Sequence, residues 1–304
     1  MSPPQTRTRV GADALEIKGW WKSNQWLVLR RISQLGLLAL FLLGPWAGIW
    51  LVKGNLNSSL TLGVLPLTDP YVLLQSLAAR HWPYTTALIG AAIVTVFYAV
   101  VGGRVYCSWV CPINLVTDSA AWLRLRLGIR GGAHLSREAR YWILAMTLVV
   151  AAATGTVAWE WINPVSMLHR GLLFGMGIAG AVVALVFLLD LFVMQRGWCG
   201  RICPVGAFYS LLGRKSVVRV AAVKRADCND CADCYAVCPE PLILKQPLKG
   251  ASSGSSPIVL SSNCTNCGRC IDVCSKEVFT FSNRFIKISS TPHDPAVARS
   301  QQSV

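Results

Sequence analysis

Cys228-x-x-Cys231-x-x-Cys234-x-x-x-Cys238-Pro239 and Cys264-x-x-Cys267-x-x-Cys270-x-x-x-Cys274 are two runs of one design, and together they hold most of the 12 cysteines in this 304-residue chain. Three cysteines spaced by two residues can wrap a cubane [4Fe–4S] cluster from a single loop, and the fourth cysteine of each run lies too far round and ligates the other cluster. The spacing therefore assigns Cys228, Cys231, Cys234 and Cys274 to one [4Fe–4S] cluster, and Cys264, Cys267, Cys270 and Cys238 to a second. Structural zinc closes at four ligands in two pairs, which is not this three-plus-one rhythm. A disulfide framework needs an oxidising compartment, whereas the charge distribution described below puts this segment in the reducing cytoplasm. The second run has Ser275 where the first has Pro239. The ligand count is unaffected, although the turn at Cys274 loses a fixed φ.

The whole chain is 53% hydrophobic and 14% charged, with a mean hydropathy of +0.47. A soluble globular chain carries roughly 25% charge, so the composition is that of a membrane protein. The formal net charge of +15 invites a nucleic-acid partner. The basic residues cluster beside apolar spans, however, and membrane orientation accounts for them with no nucleic acid.

Residues 1–31 are polar and basic, with Arg7, Arg9, Lys18, Lys22, Arg30 and Arg31. They read as a cytoplasmic tail whose Trp20, Trp21 and Trp26 lie at the headgroup level. Residues 32–52 are apolar and uncharged, 21 in a row, which is long enough to cross a bilayer. The long tail before them argues against a cleaved signal peptide. Residues 53–84 form a connection with turn signals at Gly54-Asn55, Pro66, Asp69-Pro70 and Pro83, and with a short interfacial helix over Pro70–Leu77. Further spans are read at 85–101, 141–159 and 171–195, separated by the basic segment Asn114–Arg140 and by a short turn through Glu160, Asn163-Pro164 and His169. The segments sharing a side with the N-terminus hold 26 of the 29 Lys and Arg residues, so both termini are expected to face the cytoplasm. Residues 196–226 form a basic linker, 227–288 a ferredoxin domain, and 289–304 a polar, disordered tail. Within the ferredoxin domain, Gly250–Ser256 reads as a surface loop, and Val278–Phe281 and Phe285–Ile288 as short strands.

The spans also repeat. The first two lead into Cys107-Ser-Trp-Val-Cys111-Pro112, and the last two into Cys199-Gly-Arg-Ile-Cys203-Pro204. The expected fold is thus an α-helical membrane protein with four transmembrane helices, in two hairpin-plus-C-x-x-x-C-P repeats, followed by a C-terminal α+β two-[4Fe–4S] ferredoxin-like domain. Cysteines at i and i+4 face the same way on a helical turn, and proline ends or restarts the helix after them. Cys107, Cys111, Cys199 and Cys203 are therefore candidates for a redox or quinol-linked role: four thiolates to one further metal centre, or two dithiols that cycle with disulfides. A buried cysteine is otherwise a small apolar residue, which two matched pairs with identical trailing prolines make the weaker explanation. His81, His134, His169 and His293 follow no C-x-x-C pair, so there is no c-type haem attachment. His81 and His169 lie at outer span ends, where a quinol headgroup can give up a proton or the ring can simply anchor the interface. Asp190 falls inside the fourth span, either in a functional role or paired with a neighbouring donor. No phosphate-cradling glycine loop follows a predicted strand, so neither nicotinamide nor flavin is expected.

This combination resembles the NapH family of periplasmic nitrate reductase systems. Phe41-Leu-Leu-Gly-Pro45, Lys53-Gly-Asn-Leu56, Leu67-Thr-Asp-Pro70 and Asn266-Cys-Gly-Arg-Cys-Ile-Asp-Val-Cys274 are similar to that family, and the likeness runs from about Trp20 to Lys287. The resemblance implies a quinol dehydrogenase component in the cytoplasmic membrane. Such a component draws electrons from quinol and hands them to a NapG-type periplasmic ferredoxin, which feeds nitrate reductase through membrane or periplasmic cytochrome c partners. Two other roles fit the same residues: a maturation or assembly factor whose clusters supply electrons to another enzyme's thiols or metals, and a redox sensor built on the paired cysteines.

Overall fold

The computed structural model describes residues 10–286 apart from 130, 134 and 252. Its packing divides the chain into two compact units. A helical unit takes Val28–Ser216 with Thr265–Cys267, and a cysteine-rich unit takes the N-terminal residues to Leu27, Val217–Cys264 and the chain from Gly268.

Helix α1 runs from Ala12 to Ala47 with a break at Gly19, where φ is 76°. It begins well inside the segment expected to be a tail and stops short of residue 52. Pro45 removes a helical donor near its end, and Gly48 turns left-handed at φ 73°. Among the described residues α1 is the one helix long and apolar enough by itself to cross a membrane. The connection that follows is more ordered than its turn signals suggest. Strands β1 (Val52–Gly54), β2 (Ser58–Thr61) and β3 (Leu65–Thr68) form an antiparallel sheet in sequence order. The Asn55 side chain closes the first turn by accepting from the amides of Asn57 and Ser58.

Helix α2 (Pro70–Ala78) starts at Asp69, whose carboxylate accepts from the Tyr71 amide at 3.1 Å, with proline in the first helical position. Both features satisfy or remove amides that a helix start leaves without partners. Helix α3 covers Thr85–Val101, the bounds read for the second span. Helices α4 (Val105–Trp109) and α5 (Ile113–Arg126) flank Cys111-Pro112. Helix α6 (Ala139–Thr154) ends at Gly155 in the left-handed region, before residue 159 is reached. The span expected at 171–195 is two helices. Helix α7 (Pro164–Phe174) is capped by Asn163 on the Val165 amide, and Gly175 at φ 105° ends it. Helix α8 (Gly177–Leu188) then continues through one π turn to Val193, and α9 (Pro204–Leu212) follows Cys203.

The internal repeat is therefore fuller than a hairpin. Each copy has a helix, a half-helix entered through Asp69-Pro70 or Asn163-Pro164, a second helix, and a C-x-x-x-C-P turn. Tyr71, Tyr98, Tyr106, Tyr209, Leu144 and Trp159 form the core of this unit. The outward faces of α3, α6 and α8 are apolar, with Phe97, Trp142, Met146, Val149, Ile178 and Leu185 all exposed.

In the cysteine-rich unit, β4 (Val218–Ala222) pairs antiparallel with β5 (Phe279–Asn283). Between them lie α10 (Asp233–Val237), α11 (Lys245–Lys249) and α12 (Arg269–Asp272). The N-terminal residues are part of this unit. Lys18 donates to the carbonyls of Ile271, Asp272 and Cys274 at 2.9 to 3.3 Å, and buried Asp272 accepts from the amides of Trp26 and Leu27. The strand expected over Phe285–Ile288 is not formed at Phe285 and Ile286: Asn283 accepts from both their amides and turns the chain. The tail at 289–304 lies outside the described residues.

Gly103 marks the tightest backbone approach in the helical unit. A Cβ there would overlap the Tyr209 carbonyl and lie 2.6 Å from the Gly213 amide nitrogen. Gly103→Ala is expected to cost about 3 kcal/mol or more, since backbone cannot yield as a side-chain tip does. Gly36→Ala on α1 meets nothing within 4 Å and is expected to be neutral or to stabilise by up to about 1 kcal/mol. Denaturant unfolding of both variants in detergent measures the difference.

Candidate metal centres

The two long cysteine runs curl by the same local device. Asp230 and Asn266, each just before the second cysteine of its run, have φ of 56° and 47°, and Ala232 and Gly268, each just after it, have φ of 64° and 72°. Left-handed residues on both sides of the middle cysteine bend the loop so that its neighbours turn to a common side. Asp, Asn and Gly suit that region, whereas Ala232 bears roughly 1 kcal/mol of strain there. Gly268 is further required because a Cβ would press into the Trp26 ring.

Cys228, Cys231, Cys234 and Cys274 line one cavity of the cysteine-rich unit, with Tyr235, Val278 and Phe279 as apolar walls. Cys274 thus lines this cavity with three cysteines of the first run. Burial pushes the Cys234 thiol up to about 12, and the neighbouring sulfurs of Cys231, Cys274 and Cys228 add to the effect. Cys238, Cys264 and Cys270 pack on the apolar core that includes Val220, Leu248 and Phe279. Cys267 is buried and belongs, with Thr265 and Asn266, to the packing of the helical unit. There Ser108 Oγ donates to the Thr265 carbonyl at 2.7 Å, and Trp109 Nε1 to that of Asn266 at 3.1 Å.

Cys107, Cys111, Cys199 and Cys203 line a single cavity of the helical unit. Asp69, Cys111, Asn163 and Cys203 each precede a proline at the start of α2, α5, α7 or α9, Pro112 standing just before α5 and the others in the first helical position, and all four border it. Four helix N-termini, each carrying about half a positive charge, therefore end at one place. Burial pushes all four thiols up, that of Cys203 to about 12, while the amides of Val205 and Gly206 and the Arg104 guanidinium act against it at Cys203. Among the described residues no three His, Cys, Asp or Glu side chains converge tightly enough to ligate one metal ion. A cubane spreads its thiolates more widely than a single ion does, and sulfur donors in a cationic setting suit an anionic iron–sulfur group.

The backbone of these turns is held by buried cationic and amide side chains. Arg30 donates to the Ser108 carbonyl at 3.0 Å and to Asn114 Oδ1 at 2.7 Å, and Gln34 donates to the carbonyls of Ser108 and Cys111. Arg104 reaches across to the Cys199 carbonyl at 3.0 Å. Asp118 is the anion of this network, with Arg30 at 2.9 Å, Arg31 at 2.7 Å and Arg196 at 3.7 Å. Burial alone would raise its carboxyl, but the arginines overcome that and hold it below the usual carboxylate range.

Asp190 accepts from the Trp198 amide at 2.9 Å, fixing the approach to Cys199. His81 pairs with the Gly155 carbonyl at 2.9 Å, and His169 is buried edge-on to Phe41. Neither histidine lines the four-cysteine cavity, and His134 and His293 lie outside the described residues. Sequence reading took Asp69 and Asn163 only as turn residues and did not single out Asn57 or Trp159, which also line this cavity, or Arg104 beside it. The signals were present as a doubled Asx-Pro and a doubled Arg-x-x-Cys-x-x-x-Cys-Pro.

Paired thiols within a helical unit, joined to a doubled four-cysteine module, define an iron–sulfur protein of ferredoxin type. A 4Fe-4S binding domain model matches residues 85–130 and 175–222, one stretch for each C-x-x-x-C-P repeat. A 4Fe-4S dicluster domain model matches residues 227–278. The chain is 52% identical to the ferredoxin-type protein NapH of Escherichia coli over 91% of its length and 96% of the relative's. It is 50% identical to that of Haemophilus influenzae over the same shares. It is also 50% identical to the methylamine utilization ferredoxin-type protein MauN of Methylorubrum extorquens, over 93% of this chain and 96% of the relative. No solved structure matches it. The chain belongs to the family of ferredoxin-type proteins NapH and MauN.

Asp118 gives the network a pH dependence of known sign. A carboxyl held below its ordinary pKa contributes stability above about pH 4, and that stability is lost as pH falls through the lowered value. Asp118→Asn leaves three arginines without their anion and is expected to cost about 3 kcal/mol near neutrality. It should also flatten the acid limb of the stability curve, which chemical unfolding of wild type and variant across that range tests.

Proposed function

We propose that the chain is the membrane-embedded iron–sulfur subunit of a quinol dehydrogenase. It draws electrons from quinol and passes them to a NapG-type periplasmic ferredoxin, and through cytochrome c partners to periplasmic nitrate reductase. The observation that carries this reading is the convergence of Cys107, Cys111, Cys199 and Cys203 on one cavity, inside the two stretches matched as 4Fe-4S binding. Cys228, Cys231, Cys234 and Cys274 hold one [4Fe–4S] cluster; Cys264, Cys267, Cys270 and Cys238 hold a second; and the four membrane-domain cysteines hold a further centre. A bound iron–sulfur group supplies one-electron transfer. The chain's own part is to gather the thiolates, surround them with positive ends of helices and exclude water.

Four spans follow α1, α3, α6 and the α8 stretch to Val193. The last three are apolar helices of 10–17 residues whose outward side chains are apolar, Trp142 being 75% and Ile178 79% exposed. Helices α2 and α7 are then half-helices, allowed at membrane depth because their starts are capped and buried in protein. Both termini lie in the cytoplasm in this reading, which the excess of Lys and Arg in the segments sharing a side with the N-terminus supports.

The equal identity to methylamine utilization relatives supports a second reading for the acceptor side alone. The same electron-transfer core would then serve methylamine oxidation. Deleting the gene in its host separates the two: loss of nitrate respiration favours the first, and loss of growth on methylamine the second.

The centres are tested by iron and sulfide analysis with EPR on detergent-purified protein. Wild type is expected to hold more iron than two cubanes require. A variant with Cys107, Cys111, Cys199 and Cys203 all changed to serine is expected to lose only the excess, together with reduction by quinol. Equal iron in both proteins would remove the further centre.

A further inference from the structure

Arg104-x-x-Cys107 and Arg196-x-x-Cys199 occupy the same place in the two repeats, yet the fold uses the two arginines differently. Arg196 faces Asp118, which also takes Arg30 and Arg31. Arg104 is 2% exposed and donates Nη2 to the Cys199 carbonyl at 3.0 Å, so it bridges from the first cysteine motif to the second. Its Nη2 lies 4.0 Å, and Cys107 Sγ 3.9 Å, from the point where a side chain at Gly206 would begin. Guanidinium and sulfur thus both come into ordinary contact with one point beside Gly206. Arg140, fully buried, stands over the Tyr141 ring at 5.0 Å and points Nη1 to the Gly200 carbonyl.

We infer that Arg104 sets the reduction potential of the centre held by Cys107, Cys111, Cys199 and Cys203, keeping it above the value the same four thiolates would give without the guanidinium. This rests on the further centre proposed above. Adding an electron to an anionic metal–thiolate group increases its negative charge, and a permanent cation in contact with it, shielded from water, favours that state. Each quinol oxidised releases two electrons, passed one at a time, and two protons, which go to solvent. Arg104 stays protonated throughout and takes no part in proton transfer.

The test is redox titration followed by EPR on full-length protein in detergent. The membrane centre is identified as the signal missing from the four-serine variant. In Arg104→Gln with its iron retained, the potential of that signal is expected to move negative, while the signals of the cysteine-rich unit stay in place. An unmoved potential overturns the inference. Arg104→His adds a readout that a merely structural role would not move. Its imidazole changes charge near neutral pH, so the potential is expected to rise as pH falls through that range, more steeply than in wild type. A slope equal to that of wild type also overturns the inference. If wild type shows no signal that the four-serine variant lacks, the centre itself fails, a separate outcome from a centre whose potential ignores Arg104.

Discussion

Four helices of the helical unit begin at one cavity, three with a proline in the first position and α5 directly after Pro112. A helix start leaves amides without partners, and burying it is tolerable only when side chains, proline or a ligand deal with them. Asp69 and Asn163 cap α2 and α7 directly, and Cys111 and Cys203 stand before the prolines at the start of the other two. With about half a charge from each helix start, the cavity collects roughly two positive charges from backbone alone. A doubly negative cubane–thiolate group is the kind of occupant that such a field favours. Other features of the unit serve this meeting point: the Gly175 break that frees α7 from α8, the room at Gly103, and the antiparallel sheet that leads into Asp69.

Helix starts do not hold themselves in register, and buried arginines supply that function. Arg30, Arg104 and Arg140 each donate to a carbonyl within or beside a cysteine motif, so the loops that carry the sulfurs are tied from behind. Asp118 pairs with Arg30, Arg31 and Arg196, and breaking a buried ion network of this kind costs about 3–5 kcal/mol. A neutral hydrogen bond is worth roughly 1 kcal/mol, so the charged ties outweigh the neutral ones. Loops that converge on one cavity are better held by the stronger set.

Much of this was legible in the chain. Cysteine spacing drew attention to the residues that line the two cavities, Cys107, Cys111, Cys199 and Cys203 in one and Cys228, Cys231, Cys234 and Cys274 in the other. Apolar length located α3 to the residue, because its ends are set locally by Tyr84 and Gly102. Length alone misjudged α1 and the fourth span. Hydropathy does not register that Gly175 can break a helix without a change in polarity, or that a basic, tryptophan-rich segment can be helical and tied to carbonyls by Lys18. The strands at 52–68 were hidden because each is very short and their partners are set by turns. Asp69 and Asn163 were visible as turn residues, but only the three-dimensional meeting of the two repeats makes them part of the cavity.

The repeat and its exceptions divide the work between geometry and charge. Positions that match in the two copies, Asx-Pro and Cys-x-x-x-Cys-Pro, place capped helix starts and sulfurs symmetrically. Charge enters where the copies part, either in the residue itself or in what a shared residue binds. Asp69 faces Asn163 across the repeat, and Arg104 at the cysteines corresponds to Arg196 bound to Asp118. A perfectly symmetric cavity would present the same potential to both sides. Replacing one amide by a carboxylate and redirecting one guanidinium polarises the cavity without moving a sulfur, so the duplicated backbone keeps its geometry while single side chains set its chemistry.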